Sequence, residues 1–168
     1  MKKRVAVFFL LAALAAMPPA LWAGVTEDAN QAIKSQQLGD YDTALELYTR
    51  VLESGEVIPG DSLYGFVLNN RGVILFHRGE FDLAIADYDK SLASRPDPQV
   101  YVNRANAWAA KGDDDKAIAD FSAALEQNPG YARAYHGRGY SWLNKGEAER
   151  AREDFAKAES LAPDMVWE

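Results

Sequence analysis

Apolar and polar positions along this chain recur at helical spacing. Between residues 100 and 125, Val100, Ala105, Trp108 and Ala109 form one apolar stripe. Gly112 and the run Asp113-Asp114-Asp115 interrupt it, and Ala117, Ile118, Phe121, Ala124 and Leu125 form a second. Apolar residues three and four apart lie on one side of a helix, so the stretch predicts two amphipathic helices joined by a tight turn. The carboxylates suit a helix start, where they accept from free amides and meet the positive end of the dipole. Pro129 ends the unit because proline cannot donate into the helical ladder. Nowhere does a strand pattern compete.

The same phrase is written four times. Gly39, Gly79, Gly112 and Gly146 each precede an alanine by five residues and an aromatic by nine: Ala44 and Tyr48, Ala84 and Tyr88, Ala117 and Phe121, Ala151 and Phe155. Pro96, Pro129 and Pro163 close the last three copies, at intervals of 33 and 34 residues. A fixed period of this size predicts a solenoid of stacked units, and shifts the expectation from catalysis toward a surface that holds other molecules.

These residues resemble the tetratricopeptide repeat, a helix–turn–helix unit of about 34 residues. The third copy carries the pattern as Tyr101, Arg104, Ala105, Trp108, Ala117, Phe121 and Pro129; the fourth as Tyr135, Arg138, Gly139, Trp142, Ala151, Phe155 and Pro163. The second reads Leu68, Arg71, Gly72, Leu75, Ala84, Tyr88 and Pro96. The first is degenerate, with Asp28 for the aromatic, Ala32 for the glycine and no closing proline. The resemblance implies an all-α fold, an α-solenoid forming a right-handed superhelix of four such repeats. The expected divisions are a degenerate repeat and linker over 24–60, repeats over 61–97 and 98–131, a capping repeat over 132–163 and a short tail, 164–168.

The first 23 residues stand apart. Lys2, Lys3 and Arg4 precede twelve residues without a polar side chain, then Met17-Pro18-Pro19 and small Ala23. That order predicts a secretory signal peptide cleaved after Ala23. The alternative is a retained anchor, since Val5 to Ala23 is a 19-residue apolar run; the proline pair argues against one continuous helix there. Removing the segment takes away three positive charges and moves the net charge from −7 to −10. Such a domain is poorly suited to nucleic acid, and anionic lipid should repel it. The chain has no cysteine, which excludes disulfides, thiol catalysis and zinc–thiolate sites. Together these features predict a periplasmic monomer with no membrane contact after cleavage.

One departure from the family recurs. Arg71, Arg104 and Arg138 occupy the large apolar place of the first helix, and Asp87, Asp120 and Asp154 follow each by sixteen residues. The first copy has neither, carrying Gln31 and Leu47, so the residues are expected to pair across the two helices of one repeat. The resemblance also implies a concave groove lined by first helices, where asparagines hydrogen-bond the backbone of a bound peptide. Asn30, Asn70 and Asn103 hold that place in three copies, and Gly137 in the fourth. Phe66, Asn69, Phe76, His77, Asn106, Arg133, His136 and Tyr140 are expected to share the groove, while Trp108 and Trp142 are assigned to the core. The two-carboxylate clamp of some family members is incomplete: Asn103 and Arg133 fit, but Asn69, Val73 and Gly137 do not.

No nucleophile elbow, phosphate loop or metal-ligand spacing appears, so the chain is expected to be no enzyme and to need no metal or cofactor. In the fourth copy Arg152 and Glu159 replace the Ile85/Leu92 and Ile118/Leu125 pairs that face a following repeat, the polar outer face of a cap. The expected function is non-enzymatic binding of a protein or peptide in the concave groove. The alternative is a scaffold that assembles envelope proteins through its convex face or the Trp167 tail.

Overall fold

A computed structural model describes residues 19–166, with side chains from residue 24 onward. The basic start, the apolar run up to Pro18 and Trp167 lie outside the described residues. Among the described residues eight helices follow in order: α1 (Pro19–Gln37), α2 (Tyr41–Glu53), α3 (Ser62–His77), α4 (Phe81–Ser94), α5 (Pro98–Ala110), α6 (Asp114–Gln127), α7 (Ala132–Asn144) and α8 (Ala148–Leu161). No strand occurs among the described residues, and none of these helices is long and apolar enough to cross a membrane. Helix α1 starts at Pro19, where a missing N–H costs little, and runs through Ala23 and Gly24, the expected cleavage point.

The chain divides into two compact units, 1–56 and 57–168. The first holds the hairpin of α1 and α2, closed over Ala29, Ala32, Ala44, Leu47, Tyr48 and Val51. The Tyr48 hydroxyl donates to Gln36 Oε1 at 3.0 Å, and burial pushes its phenol up to about 12. Here Arg50 and Asp28 form a bidentate pair of 2.7 and 2.8 Å in place of the arginine–aspartate pairs of the other repeats.

The second unit stacks three hairpins, α3/α4, α5/α6 and α7/α8. Each hairpin turns at a glycine with φ near +80°: Gly79 at 78°, Gly112 at 81° and Gly146 at 80°. At each, the following amide bonds back five residues, Glu80 to Leu75, Asp113 to Trp108 and Glu147 to Trp142, all at 2.9 Å. This is a Schellman closure, whose left-handed residue is a glycine because a Cβ is strained there. Asp113 then caps α6 by accepting from the Lys116 amide, which accounts for the start of the acidic run.

Between hairpins, each first helix packs on the second helix of the repeat before it, and first helices also touch one another, α3 with α5 and α5 with α7. The second helices make no comparable mutual contact, so the first helices line the inner face of this unit. Its core includes Val67, Leu68, Ile74, Leu75, Tyr88, Phe121 and Leu125. Fully burying such a side chain contributes about 1.5–3 kcal/mol. The arginine–aspartate pairs form as the spacing predicts, bidentate at 2.7–2.8 Å in all three repeats: Arg71 with Asp87, Arg104 with Asp120, Arg138 with Asp154. Hydrogen bonding to Asp120 holds the Arg104 guanidinium above its ordinary range, and Asp154 does the same for Arg138.

The aromatic nine residues after each turn glycine needs a flat partner. The Tyr88 ring lies against Gly72 of its own repeat, where a Cβ would come within 2.6 Å, and Phe155 lies against Gly139, where it would come within 2.7 Å. The third repeat has Ala105 at that place. Its ring, Phe121, shares one core cluster with Ala105 and also lies against Gly137 of the next repeat, where a Cβ would come within 2.4 Å.

Candidate functional site

The inner face of the second unit carries a hydrogen-bonded line of three side-chain amides on α3 and α5, joined to a tyrosine hydroxyl at the N-cap of α7. Asn103 Nδ2 on α5 donates to Asn69 Oδ1 on α3 at 2.8 Å. Gln99 Nε2, one turn before Asn103, donates to Asn103 Oδ1 at 2.9 Å. The Tyr131 hydroxyl, at the start of α7, donates to Gln99 Oε1. Burial pushes the Tyr131 phenol up, so it stays protonated and able to donate at neutral pH. Because an amide both donates and accepts, each link fixes the orientation of the next and leaves some capacity pointing outward.

Beside this line lies a recess of about 240 Å³ with Phe66, Asn69, Ser91, Arg95, Asp97 and Gln99 in its walls. Phe66 is 44% exposed. Gly65 sits close to Ser91, whose hydroxyl donates to the Gly65 carbonyl at 2.8 Å. This is where α3, the end of α4 and the start of α5 meet. Gln99 and Tyr131 belong to the line but are not among the groove residues that the sequence suggests. Their signal was present: Gln99 is four residues before Asn103 on one helix face.

The predicted asparagines fare differently from one another. Asn103 is central. Asn70 instead donates to the Phe66 carbonyl on its own helix at 2.8 Å, and the adjacent Asn69 carries the contact with α5. Asn30 is exposed on α1, in the other unit. The fourth copy has no asparagine here because the Phe121 ring occupies the space a side chain at 137 would need. Phe76 and His77 stand at the end of α3, the two rings 5.6 Å apart, with Phe76 also 5.5 Å from Phe81. Asn106 and Arg133 are exposed. His136 and Tyr140 come together with Phe155 at the α7/α8 end of the unit.

Trp108 packs against the core cluster that includes Ala105 and Phe121, as expected. Trp108 and Trp142 are only half-buried, and each carries a cation over its ring: Lys116 Nζ is 4.0 Å from the Trp108 centroid, and the Arg150 guanidinium carbon 4.6 Å from that of Trp142. In both, the ring meets a cation eight residues later in sequence. Among the described residues, no cluster of three or more histidine, aspartate or glutamate side chains is arranged to hold a metal ion.

Comparison with known proteins places this geometry. The tetratricopeptide repeat family matches over residues 30–97, 69–132 and 102–166. The photosystem I assembly protein Ycf3 of Prochlorococcus marinus (strain MIT 9301) is 30% identical over 115 residues, covering 62% of this chain and 64% of that protein. The chain spans between 10% and 64% of the length of the curated relatives it matches. Among solved structures, the first TPR of Spaghetti (RPAP3) bound to the HSP90 peptide SRMEEVD is 30% identical, with a TM-score of 0.62 over 66% of this chain and 88% of that one. MamA superposes with a TM-score of 0.75 over 90% of this chain and 87% of its own; at 21% identity it shares the fold alone.

Proposed function

The chain belongs to the tetratricopeptide repeat family, and from that premise we propose that it is a non-enzymatic module that binds an extended peptide or protein segment along the inner face of α3, α5 and α7. The observation that carries this reading is the amide line Asn69–Asn103–Gln99–Tyr131, flanked by exposed Phe66 and Asn106. A row of amides locked to one another is preorganised, so little entropy is lost when it meets a ligand backbone. It reads main chain more than side chain, and Phe66, Arg133, His136 and Tyr140 supply discrimination. The related structure holds the HSP90 peptide SRMEEVD, but at the places where the family's two-carboxylate clamp would stand this chain has Asn69, Val73 and Gly137. The ligand proposed here is therefore not a carboxyl-terminal clamp substrate.

The setting belongs to the same proposal. Lys2, Lys3, Arg4 and the apolar run after them support export and a periplasmic monomer, and the acidic balance supports a protein partner over nucleic acid. The alternative, a scaffold acting through its outer face or Trp167, is separated by one experiment. A partner captured from a periplasmic extract is titrated calorimetrically against wild type, Asn103→Ala and a variant lacking Trp167. Loss of Asn103 is expected to weaken binding by about three- to tenfold, the worth of one or two net hydrogen bonds. Asn70→Ala should matter less, because its amide already serves Phe66. Unchanged affinity for Asn103→Ala with loss on removing Trp167 would replace the groove with the scaffold.

A further inference from the structure

At the far end of the second unit, a recess of about 270 Å³ opens between α7, α8 and the segment after α8. Its walls are His136, Tyr140, Phe155, Glu159, Pro163 and Met165. His136 and Tyr140 are one turn apart on α7, Phe155 and Glu159 one turn apart on α8, so each helix presents two groups to the same space. The three rings stand at steep angles: His136 to Tyr140 at 4.9 Å and 79°, Tyr140 to Phe155 at 5.1 Å and 70°, His136 to Phe155 at 5.6 Å and 60°. Centroids about 5 Å apart with planes near perpendicular are what three walls of a corner give. The geometry points to an organic cation in this corner, the side chain of a lysine or arginine presented by a protein partner.

Four observations support that occupant. Aromatic faces carry negative potential and attract a cation within about 6 Å of the centroid, and both Tyr140 and Phe155 line this recess. Glu159 adds a full negative charge beside the rings, which disfavours an anion and leaves an apolar guest nothing to neutralise it. Burial holds His136 below its ordinary range, so at neutral pH its ring is an uncharged wall. The molecule uses the same chemistry internally, stacking Lys116 on Trp108 and Arg150 on Trp142. Arg133, one turn before His136, is exposed and opposes a cation, but the chain's net charge of −7 favours its approach.

The corresponding positions of the third repeat cannot do this. Val102, Asn106 and Leu125 stand where His136, Tyr140 and Glu159 are, and Phe121 is sealed. Only the attribution of the cation to a protein partner rests on the proposed binding function; the affinity of the corner for a cation stands alone.

The test is an NMR titration of the isotope-labelled chain with N-acetyl-lysine amide, N-acetyl-arginine amide, the neutral isostere N-acetyl-norleucine amide and tetramethylammonium. The charged amides should shift and saturate the resonances of residues 136, 140, 155 and 159, and norleucine amide should not. Glu159→Gln, an exposed and conservative change, should weaken binding about three- to tenfold; Tyr140→Leu, checked for native melting, should do the same. Asn103→Ala should leave this titration unchanged even where it removes the partner, so a failure of the groove reading is distinguishable. Equal shifts from norleucine amide, or affinity indifferent to both variants, would overturn the site. Tighter binding of tetramethylammonium than of either amide would overturn its assignment to a protein side chain.

Discussion

In the third repeat Phe121 is 1% exposed, shut between its own hairpin and Gly137 of the next; in the fourth, Phe155 holds the same place and lines an open recess. The two hairpins share their turn glycine, their buried alanine and their arginine–aspartate pair. What separates them is the company they keep. A repeat's second helix presents an apolar row at 118 and 125 where another hairpin follows, and Arg152 and Glu159 where none is seen among the described residues. The same aromatic is therefore core in one copy and site wall in the other. Position within a repeat fixes a side chain's direction, and its neighbour fixes its role.

The largest expected effect breaks this contrast directly. Phe121→Ala should cost about 4 kcal/mol of unfolding free energy and Phe155→Ala about half that, because only the first leaves a closed cavity. Denaturant melts of the two variants decide it, and equal losses would mean that the fourth repeat is packed like the third. Next comes the glycine at 137. Gly137→Asn restores the asparagine row but drives a side chain into the Phe121 ring, which should cost about 2 kcal/mol. Ala105→Gly removes a methyl from the cluster around that ring and gives it room to move toward its own hairpin, so the double variant should lose less than the sum of the singles. A double-mutant cycle without coupling would show that Ala105 does not set the position of Phe121. The smallest change in stability is expected from Arg152→Ile with Glu159→Leu, which makes the fourth repeat's outer row resemble the third's. Its readout is association, since an exposed apolar stripe should drive self-contact; sedimentation of an unchanged monomer at high concentration would count against it.

The fold was legible because its signal is periodic. Turn glycine, alanine and aromatic keep the same spacing within every copy, so each copy corroborates the others, and the shared offset of arginine and aspartate announced a contact before any coordinate. The site was legible only in part, for reasons particular to each residue. Asn103 was found because it follows the family's pattern. The preference of Asn70 for the Phe66 carbonyl is a choice between two nearby acceptors that sequence does not rank. Gly137 looked like a missing ligand group, whereas the ring of Phe121 from the preceding repeat fills the space a side chain there would need. The corner at 136, 140, 155 and 159 was half visible: its α7 pair was assigned to the groove, and Glu159 was read only as a solubilising charge. The repeat pattern put Trp108 and Trp142 at its buried aromatic place, but the cations over their rings, Lys116 and Arg150, lie on the other helix of the hairpin and were not read.

The polar links between repeats also have a direction. Lys111 reaches back to Asp82 and Lys145 to Asp115, Arg104 adds a 2.5 Å bond to Asp89, and Arg138 bonds Ser122 at 3.0 Å. In every case the later hairpin extends its side chain onto the earlier one. Such a stack behaves as a line of coupled two-state segments, each stabilised by its immediate neighbours. Opening α7 and α8 severs one set of links, whereas opening α5 and α6 severs two. Amide exchange should therefore be fastest in α8 and slowest in α5 and α6, so that the end carrying the aromatic corner unzips and recloses many times for each global unfolding event.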